Sequence, residues 1–208
     1  MKIIYIIIGL VLLTGIIFCL LSCKNNLKSN SQIKQQKENK TKIEENKAIK
    51  NPYEDLRNMA LAMTPEQLGL TLKSDKTIVY GIVMDWKVGE GIATFIVFQT
   101  GDASMYSSTG GGVIGGVTNE NVKKAAIAFI DKSRTYLSKT IKTETAPLAE
   151  ENSVKFYFLT NKGKFVAQER MENFENNSSE WLALFEEANK VITQLRLTTP
   201  KDENENRR

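Results

Sequence analysis

The chain has 208 residues, a formal net charge of +4 and no histidine. Without histidine, Ser-His and Cys-His nucleophiles and His-ligated zinc are excluded, and neither metal nor cofactor is expected. Eight Lys against three Glu in residues 24–50, with Lys2, hold the positive excess, so the chain from Asn51 onward carries −2; no clustered basic face of the kind that grips nucleic acid is seen, and no nucleic-acid partner is expected.

Lys2 precedes an apolar run from Ile3 to Leu21, closed by Leu20-Leu21-Ser22-Cys23. A short cationic end stays at the cytoplasmic face while such a run enters the bilayer. The tetrapeptide resembles the lipobox of bacterial lipoprotein precursors: an apolar start, a small residue before the cut and a cysteine after it. The resemblance implies that residues 1–22 are a removed signal peptide and that Cys23 becomes a lipid-bearing N-terminus. The domain then stands outside the cytoplasm in the bacterial cell envelope, with membrane lipid as its first partner. One acyl chain gives only marginal attachment at about 0.8 kcal/mol per buried CH₂, so stable anchoring needs more than one. The rival reading is an uncleaved single-pass helix with a cytoplasmic domain. Roughly 20 apolar residues span a bilayer, and Lys24, Lys28, Lys34 and Lys37 follow the run. Cys19 and Cys23 are the only cysteines, so the rest of the chain is held without a disulfide.

Residues 23–50 are rich in Lys, Asn, Gln and Glu, with few apolar side chains to offset ordering entropy. They read as a tether reaching ~30 Å as a coil. Residues 201–208 read as a solvated charged tail. Between them, 51–200 has the size of one domain. Asn51-Pro52-Tyr53-Glu54 is a helix start, with a cap, a proline at the first helical position and an acid three residues after the cap. Leu56, Met59, Ala60 and Met63 form the stripe of that helix. Thr64-Pro65-Glu66-Gln67 repeats the start signal and predicts a second short helix ending at Gly69.

Residues 77–86 alternate, with Ile78, Tyr80, Ile82, Met84 and Trp86 on one face. Gly89-Glu90-Gly91 turns the chain, and 92–99 is apolar on both faces, as an interior strand is. Thr100-Gly101-Asp102 leads into a more polar strand, 103–107. A helix over about 120–138 carries the stripe Val122, Ala126, Phe129, Ile130 and Leu137, capped by Thr118 or Asn119. A hairpin follows, with Val154, Phe156 and Phe158 against Phe165, Ala167 and Glu169 across Asn161-Lys162-Gly163. The last helix, about 179–195, presents Trp181, Leu184, Phe185, Ala188, Val191, Ile192 and Leu195. Hairpins dominate, so the prediction is a single α+β domain with a roughly five-stranded antiparallel sheet flanked by helices. The order α-βββ-α-ββ-α resembles the profilin, roadblock and longin group of folds. That resemblance is one of topology, without a shared residue motif, and raises homodimerisation as a possibility.

The most unusual local feature is Gly110-Gly111-Gly112-Val113-Ile114-Gly115-Gly116. Gly110, Gly112 and Gly115 satisfy G-x-G-x-x-G, but the preceding strand is polar, the next helix starts too late, and neither a ribose-binding acid nor a P-loop lysine follows. The run is expected to be a connection with left-handed backbone or a loop that binds a ligand or partner. Asp102, Ser104 and Tyr106 alternate toward it and are the candidate polar face of that site. Asp85 is expected to be exposed near its hairpin, with a buried acid as the alternative. No catalytic residue is singled out. The expected function is a small ligand- or protein-binding module held at the envelope, with a carboxylate-dependent hydrolase using acids such as Asp85, Asp102 and Glu169 as the alternative.

Overall fold

The structure, a computed structural model, describes residues 52–73, 75–115 and 118–198. All lie in the second of two compact units, Lys50–Arg208. The leader, Cys23, the tether, Gly116 and the tail lie outside the described residues.

Helix α1 (Pro52–Ala62) begins at the expected proline, whose missing N–H is no loss in a first turn, and Glu54 and Asp55 suit the positive end of the helix dipole. The capping signal at Thr64 forms: its N–H donates to Gln67 Oε1 at 2.9 Å and its Oγ1 accepts from Gln67 N at 3.4 Å. It nucleates only a turn, ended by Gly69 at φ +69°, rather than the predicted second helix. Strands β1 (Val79–Val88), β2 (Gly91–Phe98), β3 (Ala103–Ser107) and β4 (Gly112–Val113) follow. Then come α2 (Glu120–Arg134), a 3₁₀ turn (Leu137–Lys139), β5 (Ile141–Thr143), β6 (Ser153–Thr160), β7 (Gly163–Arg170), the short α3 (Met171–Glu175) and α4 (Leu182–Thr198). Asn119 caps α2, its Oδ1 accepting from Asn121 N and Val122 N.

The fold is the expected α+β domain, with every described strand pair antiparallel and the sheet order β4-β3-β2-β1-β6-β7-β5. The sheet has seven strands rather than about five, because β4 and β5 extend its two edges. Two or three residues are too few to show a strand period in sequence.

The two faces of the sheet are covered differently. Ile82, Met84, Phe95, Val97, Phe156 and Phe158 meet α2 and α4 in the main core. There Trp181 lies among Tyr136, Phe156 and Phe158 at 5.3, 5.8 and 6.2 Å between ring centres. On the other face Tyr80, Val83, Ile96, Phe98, Tyr157 and Leu159 meet α1 and the segment after it. Tyr80 is thus not on the face of Ile82 that alternation assigned to it. Pairing of β1 with β6 shifts between Val79 and Gly81, and the extra residue carries Tyr80 across to the face of Val83. Gly81 is required beside it, since a Cβ there would stand 2.7 Å from the Phe98 ring.

Candidate functional site

Strand β3 places Ser104 and Tyr106 on the α1 face, and the turn before it adds Asp102. With Leu56, Met59, Met63, Ile96 and Phe98 they line a groove of about 190 Å³ between α1 and the sheet. Met59 is 63 % exposed at its rim. Thr100 Oγ1 donates to Asp102 Oδ2 at 2.5 Å, and the Asp102 carbonyl accepts from Phe98 N at 2.9 Å, so Asp102 also closes its own turn. Burial pushes the Tyr106 phenol up, with the Ser104 hydroxyl beside it acting the other way. The three residues chosen from their alternation therefore do share one groove.

The glycine run folds back on β3. Ser107 N donates to the Gly111 carbonyl at 3.1 Å, Gly110 N to the Ser107 carbonyl at 3.0 Å, and Gly112 pairs with Tyr106. Gly110 and Gly111, at φ +104° and +81°, make the turn. Gly112 is needed for proximity: a Cβ would lie 2.4 Å from the Met105 carbonyl oxygen. Gly115, at φ +80°, brings its N–H to 3.4 Å from Ser104 Oγ. G-x-G-x-x-G is here a hairpin and its exit, not the mouth of a helix, because α2 starts only at Glu120. One step beyond the Val113–Met105 pair, Ile114 falls level with Ser104 and is 69 % exposed.

A second polar constellation lies beneath α1, and sequence reasoning missed most of it. Asp85 is 0 % exposed, which corrects the expectation of a solvated hairpin acid. Arg57 of α1 grips it from both sides of the fork: Nε donates to Oδ1 and Oδ2 at 3.1 and 3.0 Å, and Nη2 to Oδ2 at 2.5 Å. Thr94 Oγ1 donates to Asp85 Oδ1 at 2.6 Å and lies 2.7 Å from the Tyr53 hydroxyl. The Arg57 guanidinium stands 5.6 Å over the Tyr157 ring. Desolvation tends to lower the Arg57 pKa, but the Asp85 carboxylate outweighs it and holds the group above its ordinary value. Lys155, opposite Asp85 on β6, donates to the Leu148 carbonyl at 3.0 Å, and the Tyr157 hydroxyl donates to that of Pro147. Arg57 was invisible in sequence as a partner because only the fold brings α1 over β1. An arginine one turn from a tyrosine on an otherwise apolar helix face was the available signal.

A second hollow, of about 450 Å³, lies between the 64–66 turn and the β6–β7 hairpin, with Glu66, Tyr80, Asn161 and Lys162 in its lining. No family model, no curated protein and no solved structure matches the chain.

The carboxylates named for hydrolysis do not converge. Asp85 is sealed against Arg57, Asp102 lies in the groove, and Glu169 accepts from Asn173 Nδ2 at 2.6 Å and Ser179 Oγ at 3.0 Å. Each of the two hollows carries one carboxylate, Asp102 or Glu66, where acid–base cleavage needs two. Among the described residues no group of three or more His, Cys, Asp or Glu is placed to hold a metal ion, and no helix is long and apolar enough to cross a membrane.

Proposed function

We propose that the chain is a lipid-anchored cell-envelope protein whose α+β domain binds a protein or small ligand in the groove between α1 and β3. The leader ending at Leu20-Leu21-Ser22-Cys23 supports the address, through its resemblance to lipoprotein precursors. The groove supports the binding role, and one observation carries it: an open apolar channel, edged by exposed Met59 and closed on one side by Asp102, Ser104 and Tyr106. Apolar walls with a few fixed polar groups are how proteins hold small ligands and partner side chains. Methionine suits such walls because its unbranched thioether adapts to varied shapes.

The two halves of the reading are tested separately. Cys23→Ser should abolish incorporation of labelled fatty acid; continued labelling of that variant sinks the anchor. A photo-crosslinking residue at Met59 should capture a molecule in intact cells, and the same residue at Lys190, exposed on α4, should not. Equal capture at both positions, or none at Met59, removes the groove from the proposal.

A further inference from the structure

Helix α1 is attached to the sheet by different physics from the other long helices. Val122, Ala126, Phe129 and Ile130 of α2, and Leu184, Phe185, Ala188, Val191 and Leu195 of α4, are all fully buried apolar side chains. The buried face of α1 is Tyr53, Arg57 and Ala60: Ala60 and Leu61 pack on the sheet, and two polar side-chain tips reach into it, Tyr53 to Thr94 and Arg57 to Asp85. Its remaining large apolar residues, Leu56, Met59 and Leu61, are only half-buried or exposed.

A buried ion pair holds its geometry firmly but adds little net stability, because removing both charges from water nearly cancels their attraction. Two ways of breaking it therefore differ sharply. Removing one partner strands a charge in the interior. Swinging α1 away as a unit returns Arg57 and Asp85 to water together, and hydration repays most of what the pair loses. The bidentate fork has no half-formed state of comparable energy, so attachment is close to all-or-none.

We infer that α1 is a latched cover, released by separation of Arg57 from Asp85, which opens as a unit while the sheet and its α2–α4 side stay folded. The turn ending at Gly69 supplies the joint. Opening uncovers Tyr80, Ile96, Phe98 and Tyr157, so the same motion opens one whole wall of the groove. The cover opens in this way whatever the groove binds.

Hydrogen exchange read by mass spectrometry on the full-length chain in detergent micelles tests it. Amides of 56–62 should exchange on the order of 100-fold faster than those of 154–160, as subglobal opening requires. Asp85→Asn should accelerate α1 by at least about 10-fold with 154–160 unchanged. The paired replacement Arg57→Met with Asp85→Val removes both charges with little change in total side-chain volume, and should slow α1 below the native rate. If α1 and β6 exchange at one common rate in the native chain, the cover does not open separately and the inference fails. Should the apolar pair instead hasten α1 as the single variant does, the ion pair holds α1 by more than hydration returns on opening, and the inference of a readily released latch fails. The paired variant keeps the test decisive if Asp85→Asn alone does not fold.

Discussion

Tyr157 makes the buried polar floor measurable. Its ring is fully buried on β6, and its hydroxyl donates to the Pro147 carbonyl. Burial pushes its pKa from 10.0 up to about 12, with the Arg57 guanidinium pulling the other way. In the unfolded chain the phenol ionises near its ordinary value; in the folded chain it resists until about 12. Between those values the folded state binds more protons, so stability falls as pH rises. The contribution is fully present below about pH 10 and is lost as pH climbs through the folded value. At about 1.4 kcal/mol per pKa unit, the loss is about 1.4 kcal/mol at pH ~11 and approaches about 2.7 kcal/mol above pH ~12. Tyr157→Phe removes this sensitivity and, at neutral pH, the bond to Pro147, worth about 1 kcal/mol. Urea unfolding followed by fluorescence of Trp86 and Trp181 should find the variant less stable at pH ~8, with the two proteins converging by pH ~11. Tyr53, Tyr80 and Tyr106 are also raised by burial and steepen the alkaline limb of both proteins equally. Parallel stability curves from pH ~9 to ~11 would show that Tyr157 titrates as if exposed, and the reasoning about the floor would fall.

Thr94→Val keeps the shape and removes the hydroxyl that serves both Asp85 and Tyr53; a bond to a charged group implies a loss of about 1.5–3 kcal/mol, and an unmoved urea midpoint would show the bond to be idle. Gly112→Ala drives a Cβ into the Met105 carbonyl oxygen and the Tyr106 backbone, so the β3–β4 hairpin should open at its outer edge; faster exchange at Ser107 reports it, and an unchanged rate contradicts it. The Asn161 side chain accepts from Ile78 N at 2.8 Å and donates to the Lys73 and Lys76 carbonyls at 3.0 and 2.9 Å. Asn161→Ala should therefore speed trypsin cleavage after Lys73 or Lys76 several-fold, and identical digestion kinetics would rule out the clamp.

What could be read in advance follows the range of the forces concerned. The helices expected over about 120–138 and 179–195 form over 120–134 and 182–198, and they and the hairpin of β6 and β7 were legible because periodic burial against one neighbour is written locally; Leu137 falls instead in the 3₁₀ turn that follows the first. The start of α1 was legible from Pro52, and the cap of α2 was narrowed to Thr118 or Asn119, of which Asn119 serves, because caps act within one turn. Alternation puts Tyr80 on the wrong face because a bulge is a register event between β1 and β6, and its one trace in β1 is Gly81. Asp85 was read as solvated because its counter-charge lies 28 residues earlier, on another element. The alternation of Asp102, Ser104 and Tyr106 gave one wall of the groove correctly, but Leu56, Met59 and Met63 of the facing wall were read only as helix stripe. A strand pattern states which residues share a side; it does not state which helix comes to lie over them.

That asymmetry bears on where a partner would engage. On the α2–α4 side the buried sheet residues Ile82, Met84, Phe95, Val97, Phe156 and Phe158 join one apolar core with the helices, with Trp86 meeting Phe185 edge to face and Phe174 4.5 Å from Phe185 between ring centres. Opening that face would expose a continuous core at about 25 cal/mol per Å², which no local event supplies. The α1 side instead mixes Asp85, Thr94, Lys155 and Tyr157 with Val83, Ile96 and Phe98. Water can hydrate the first four when the cover lifts, which lowers the energy of an exposed state. A sheet face floored in this way tolerates exchange between a helix of its own chain and an outside ligand, whereas a wholly apolar one does not. The groove of Asp102, Ser104 and Tyr106 lies on this side, so the face that is least costly to open is also the face with polar groups to recognise what enters.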